Sequence, residues 1–232
     1  MRRISILFGL VALLAVSPVA GQEGGEVRGP TDYRILCHLE QERTPVMDGV
    51  MQTVSNSLVL APLPAATLAV AGWAGHNDDM LNNAAVCGVS IAATAAITMG
   101  LKYAIDRPRP FKAYAGDLSP QEFPRDPSFP SGHTSVAFAT AVSLTLCYPK
   151  WYVAVPSFLW ASGVGFSRLY RAAHYPSDVL VGALLGGAVA GATYFLFRSG
   201  QPVGTSLEAD PTKTSTAALP RPLFVIPVRL AF

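Results

Sequence analysis

Charge is scarce in this chain: 14% of its 232 residues are Asp, Glu, Lys or Arg, where an ordinary soluble domain has about a quarter. With a formal net charge of +2 and no run of Lys or Arg interleaved with aromatics, the electrostatic footprint of a nucleic-acid binder is missing. That class is set aside. Cysteine occurs three times, at Cys37, Cys87 and Cys147. The number is odd, the spacing is not that of a metal site, and two of the three lie in apolar segments, so they read as small buried hydrophobes. Histidine occurs only four times and no His/Cys/Asp/Glu set has ligand spacing. No metal and no cofactor is therefore expected. What the chain has instead is apolar: half of its residues are hydrophobic and the mean hydropathy is +0.35, as in a protein that lives in lipid.

The opening "MRRISILFGLVALLAVSPVAGQ" combines two arginines, an apolar core and small residues at Val19-Ala20-Gly21, the grammar of a secretory signal or an uncleaved anchor over residues 1–21. Cleavage is expected after Gly21. Residues 22–52 form a polar and amphipathic segment, with Leu36, Leu39, Val46, Val50 and Val54 at helical intervals, interrupted at Pro45. Five apolar segments follow, at residues 53–74, 84–101, 134–148, 151–166 and 179–197. A bilayer core takes roughly 20 helical residues. The first, second and fifth segments reach that length, and the third and fourth do so by borrowing flanks such as Ser131 to His133 and Ser167 to Tyr170. The expected architecture is an all-α bundle, with about five membrane-spanning helices in a domain over residues 53–197. The tail, residues 198–232, reads as disordered.

Three polar clusters interrupt the apolar pattern. "KYAIDRPRP" places Lys102 at the end of the second segment, with Arg107 and Arg109 after it; "FPSGHTS" places Ser131, Gly132 and His133 at the start of the third; "SRLYRAAHYPSD" places Arg168 at the end of the fourth and His174 and Asp178 at the start of the fifth. Consecutive spans run antiparallel, so all these ends meet on one side of the bundle. Ser131 reads as a helix N-cap, leaving the first N–H groups of that helix aimed into the mouth as an anion site. Lys102, Arg109 and Arg168 add cations, the arginines with forks suited to phosphate oxygens. Pro176 falls in the first turn of the last helix, with Asp178 behind it. Asp178 is then expected to accept from Nδ1 of His174 and aim Nε2 at phosphorus, with His133 protonating the leaving oxygen. His38, His76, Asp78, Asp79, Lys150 and Arg198 have no convergent partners and read as solvated. Asp106, Arg107, Lys112, Tyr114 and Arg171 lie near the mouth and are intermediate, in reach of a headgroup but more often structural.

Lys102, six residues, Arg109-Pro110; Pro130-Ser131-Gly132-His133; and Ser167-Arg168, five residues, His174, three residues, Asp178 together resemble the three-part signature of the type 2 phosphatidic acid phosphatase (PAP2) and vanadium haloperoxidase superfamily. The resemblance covers roughly residues 31–197 and points to the membrane lipid phosphatase branch. It implies a helical core and metal-independent hydrolysis of a phosphate monoester or diphosphate through a phosphohistidine. By position, His174 would be the nucleophile, Asp178 its orienter and His133 the general acid, and Lys102, Arg109, Ser131, Gly132 and Arg168 would bind phosphate. The implied partners are a lipid phosphate and the membrane. The implied location is the cell membrane, with the site facing outside or towards a periplasm. Counting from the signal gives that outward orientation, although Arg28, Arg34, Arg43, Lys112 and Arg125 then lie outside against the positive-inside rule. Two alternatives share the same pocket: a secreted soluble acid phosphatase and a vanadate-dependent haloperoxidase.

Overall fold

The computed structural model of the protein describes residues 31–199. The signal with its expected cleavage after Gly21, and the tail from residue 200 onward, lie outside the described residues. The chain forms eight α-helices there: α1 (Thr31–Gln41), α2 (Pro45–Asn56), α3 (Leu63–Ala74), α4 (Asp78–Ile105), α5 (Pro110–Ala113), α6 (Gly132–Cys147), α7 (Trp151–Tyr170) and α8 (Pro176–Ser199). Among the described residues there is no strand, and the fold is all-α.

Local chemistry sets the boundaries. Pro45 occupies the first position of α2, where its missing N–H costs nothing, and the Thr44 side chain caps the helix by accepting from the Met47 amide. A 3₁₀ turn over Ser57–Leu60, followed by Pro62, divides the first expected span into α2 and α3. At the start of α4 the Asn77 side chain accepts from the Met80 amide at 2.9 Å. At its end Asp106 takes a left-handed conformation (φ 48°), which turns the chain out ahead of Arg107-Pro108.

Besides its apolar core clusters the bundle turns polar residues inward and many large apolar ones outward. On α4 the buried positions Ser90, Thr94, Thr98 and Lys102 recur every four residues, while Val89, Ile97, Met99 and Tyr103 face outward. α6 and α8 meet backbone to backbone. A Cβ placed on Gly186 would lie 2.0 Å from the Ser135 carbonyl oxygen, and one on Gly182 2.8 Å from that of Ser131. Only glycine admits that approach, the small-residue contact by which helices associate where burial from water offers no driving force.

Three stretches are long and apolar enough to cross a membrane: Pro45–Ala74, Asp78–Ala113 and Pro176–Ser199. Among the described residues the expectation of about five spans is thus met by three on length and composition. α6 is apolar but has only 16 residues, and α7 carries Pro156, Ser157, Ser162, Ser167 and Arg168 along its 20 residues. α1 turns its apolar face to the protein itself, its buried Tyr33 and Leu36 packing onto Leu118 and Tyr175. It thereby covers the end of the bundle where α4 and α7 finish and α6 and α8 begin.

Candidate active site

His174 sits in the turn between α7 and α8 and is 2% exposed. Ala172 holds that turn in a left-handed conformation (φ 51°), which costs a residue with a Cβ roughly 1–2 kcal/mol. The turn is closed by the Ala172 amide on the Leu169 carbonyl at 2.9 Å and the Ala173 amide on that of Arg168 at 3.1 Å. Asp178, the third residue of α8, is fully buried and reaches back to accept the Tyr175 amide at 3.0 Å. That contact satisfies an N–H which the start of the helix would otherwise leave free.

Around the imidazole the geometry fixes the proton. Arg109 Nη1 lies 3.2 Å from Nε2 of His174. A guanidinium only donates, so Nε2 carries the lone pair and Nδ1 the hydrogen. On the Nδ1 side the carboxylate of Asp178 is 3.6 Å away, beyond hydrogen-bond reach. The Ser128 hydroxyl stands between them, donating to Asp178 Oδ2 at 2.5 Å and lying 3.4 Å from Nδ1. The direct contact expected from the sequence is thus replaced by a serine-bridged one. Arg107 Nη1 holds the other carboxylate oxygen at 2.6 Å, and its Nη2 reaches Asp32 of α1 at 3.1 Å. Burial, which disfavours the imidazolium, and the cations Arg109, Arg168 and Lys102 push His174 down to about 3 against the opposing pull of Asp178. Its ring is neutral at physiological pH.

The cations expected to hold phosphate converge here. Lys102 Nζ is 2.9 Å from Asp126 and donates to the Pro127 carbonyl at 2.5 Å. Arg109 donates through Nη1 to the Ala173 carbonyl, through Nε to the Asp126 carbonyl, both at 2.8 Å, and through Nη2 to the Asp126 carboxylate at 2.9 Å. Arg168 donates to Ser55 Oγ at 2.5 Å and pairs with Glu122, which Arg171 also contacts at 3.4 Å. Burial works to raise the Asp126 pKa, but the Lys102 hydrogen bond and the charges of Arg109 and Lys102 prevail and hold it below the usual carboxylate range.

Ser131 occupies the N-cap position of α6, yet its hydroxyl bonds Thr134 Oγ1 at 2.9 Å rather than a backbone amide. Its own amide donates to the Asp178 carbonyl at 3.1 Å, which ties the start of α6 to the start of α8. Gly132 lies against Lys102, whose Cε would be 3.8 Å from an added Cβ. His133, the second residue of α6, is half-buried and takes no part in the hydrogen bonds just described among the described residues. Ser128, Asp126, Glu122 and Asp32 are not among the residues expected at the site, and Arg107 and Arg171 are intermediate in the sequence. Their signal is weak: a serine five places before His133, and carboxylates in a proline-rich loop, have no periodicity that would mark them.

A sequence profile described as the PAP2 superfamily matches residues 83–200, just over half of the chain. The chain belongs to the PAP2 superfamily. The match contains most of α4, the whole of α6 and α7, and the turn bearing His174. Among curated relatives, the PAP2 chain is similar to an undecaprenyl-diphosphatase of Sulfolobus acidocaldarius, 37% identical over 98 residues that cover 41% of this chain and 47% of that protein. It thus spans about half the length of that relative. It is also similar to the undecaprenyl-diphosphatase BcrC of Bacillus subtilis, 29% identical over 169 residues, 72% of this chain and 83% of that one. A transmembrane PAP2-type phosphatidylglycerolphosphate phosphatase from Bacillus subtilis shares the fold, with a TM-score of 0.61 at 24% identity over 88% of this chain and 100% of that chain. With three helical stretches fit to cross a bilayer and an apolar exterior, this PAP2 protein is integral to a membrane.

Proposed function

We propose that this PAP2 protein hydrolyses a phosphate monoester or diphosphate of a membrane lipid through a phosphohistidine, with no metal in the reaction. The observation that carries this reading is the environment of Nε2 of His174: a neutral lone pair, set by Arg109 and ringed by Lys102 and Arg168 near the start of α6. A phosphoryl group there has its charge met by fixed donors, which is most of what phosphoryl transfer requires. Nε2 attacks phosphorus, the bond to the leaving oxygen breaks, and His133 supplies the proton that oxygen takes. Water then attacks the phosphohistidine, His133 accepts its proton, and the P–N bond breaks to release phosphate. Asp178, through Ser128, keeps the hydrogen on Nδ1 and stabilises the positive ring as the P–N bond forms. Ser131 and Gly132 supply the helix end that faces the anion.

Two relatives bear the name undecaprenyl-diphosphatase, so a polyprenyl diphosphate is the first substrate to test, beside phosphatidate, phosphatidylglycerol phosphate and a lipid A phosphate. The measurement is phosphate release by the purified protein in detergent micelles across that panel. His174→Ala is expected to lower turnover on the best substrate by on the order of a thousandfold or more, with the amount of inserted protein unchanged. Full activity in that variant overturns the mechanism.

We further propose that the mouth faces outward, on the support of the signal-like N-terminus. With Cys37, Cys87 and Cys147 replaced, a single cysteine at Arg125 is expected to react with an impermeant maleimide on intact cells, and single cysteines at His76 or Lys150 are not. The reverse pattern would invert the topology.

A further inference from the structure

Four buried cations at the mouth share two carboxylates from one stretch of chain. Asp126 bridges Lys102 and Arg109, each at 2.9 Å, and Glu122 bridges Arg168 and Arg171. Both carboxylates lie on the connection between α5 and α6, which has no helix of its own. Their side chains are 35% and 26% exposed, whereas none of the four cations exceeds 7%. The carboxylates sit at the surface of the pocket and the cations at its floor.

A carboxylate shared between two cations takes the coordination that two phosphate oxygens would take. It does not exhaust the donors: Arg168 Nε and Arg171 Nε are buried without a hydrogen-bond partner among the described residues. A phosphoryl group, with three free oxygens, has more acceptors to offer. A ligand that reaches the nucleophile meets a guanidinium that Asp126 already engages. The main-chain oxygen and the carboxylate of Asp126 hold two nitrogens of Arg109, and the third lies against Nε2 of His174. Any phosphoryl group approaching Nε2 competes with Asp126 for that guanidinium.

We propose that Asp126 and Glu122 are resident competitors of the phosphate site and set the charge that an incoming headgroup must carry to enter. The inference rests on reading this end of the bundle as a phosphate site. Exchanging two carboxylates for a doubly charged phosphomonoester, or for the terminal group of a diphosphate, leaves the charge of the pocket unchanged. A singly charged phosphodiester, the headgroup linkage of bulk bilayer phospholipid, leaves the pocket one unit more positive, and that is costly at low dielectric. Because every ligand displaces the same pair, removing the pair tightens all anions together and brings phosphodiesters into the range that occupies the site. The same competition helps inorganic phosphate to leave.

The test is the sign of a change in affinity. Inorganic phosphate is titrated calorimetrically into the full-length protein in detergent micelles, and phosphatidylglycerol is tested as an inhibitor of turnover. In the double variant Glu122→Gln/Asp126→Asn, phosphate is expected to bind about tenfold tighter or more. Phosphatidylglycerol, inert towards the wild type, is expected to become a competitive inhibitor. If the carboxylates merely hold the cations in position, phosphate binds more weakly in the variant; that result, or an unchanged affinity, overturns the inference. Should the double variant fail to fold, Glu122→Gln alone leaves Asp126 on Lys102 and Arg109 and must still tighten phosphate severalfold. A wild type that binds phosphate but releases none from any lipid defeats the phosphatase reading and leaves this inference intact. An active wild type whose phosphate affinity is unmoved by the substitutions does the opposite.

Discussion

The carboxylate of Asp178 is fully buried and accepts from three donors: Arg107 at one oxygen, Ser128 and the Tyr175 amide at the other. A buried carboxylate needs such company, since stripping one donor exposes the desolvation cost of the whole group. Ser128 has a second task, because its hydroxyl fills the gap between Asp178 and Nδ1 of His174. In Ser128→Ala the ring loses its link to the carboxylate while the cations of the pocket stay in place. The expected outcome is a fall in kcat of about a hundredfold, as for a reacting group displaced by an ångström, with KM changed less than threefold; steady-state kinetics at saturating lipid checks it. A KM effect without a kcat effect would assign Ser128 to substrate binding. His174, Asp178 and the cations of the three clusters were legible because they lie at segment ends, where segment order alone brings them together. Ser128, Asp126 and Glu122 were not, because their roles depend on how one long loop folds back over the bundle.

At the scale of helices, the decisive contact is that of α6 with α8, which joins the cap of one helix to the third residue of the other through the Ser131 amide and the Asp178 carbonyl. The seam is glycine-dependent at particular positions. A Cβ at Gly186 would stand 2.0 Å from a carbonyl oxygen of α6, so Gly186→Ala forces the helices apart; at Gly187 the nearest atom would be Val142 Cγ2 at 3.7 Å, an ordinary contact. Gly186→Ala is therefore expected to destabilise the protein by about 1–3 kcal/mol as an overpacked core does and to lower activity, because the helix starts that carry Ser131 and Asp178 separate. Gly187→Ala is expected to change neither. Thermal unfolding in detergent, paired with phosphate release, separates the two variants, and equal behaviour would mean that the seam yields. The apolar segments announced these helices, but length and packing did not follow from hydropathy. α4 runs from Asp78 to Ile105, well past the apolar stretch at residues 84–101, because Asp78 and Asp79 suit its positive end and Lys102 its negative one. The inward stripe of Ser90, Thr94, Thr98 and Lys102 is diluted by alanines in the sequence and emerges only when the helix is placed.

The molecule as a whole separates two kinds of residue. Polar groups gather at one end under α1, with Asp32 and Arg43 of the N-terminal segment tied to Arg107 and to the Tyr170 carbonyl. The sides carry exposed apolar groups, among them Leu159, Leu180, Leu184 and Leu196. Composition alone indicated a membrane protein; the covering role of α1 was hidden, because an amphipathic helix has the same pattern whether its apolar face meets lipid or protein. Insertion and chemistry therefore depend on different positions. Leu184 lies near the middle of α8 and is 64% exposed, pointing away from the glycine seam. An arginine at such a site costs insertion about 2.5–3.5 kcal/mol on translocon scales. Leu184→Arg is expected to reduce the fraction that resists carbonate extraction severalfold, while each molecule that inserts turns over lipid phosphate at close to the wild-type rate. If Leu184→Arg instead inserted as well as the wild type and lost its activity, Leu184 would belong to the protein interior, and the division between apolar sides and polar end would have to be redrawn.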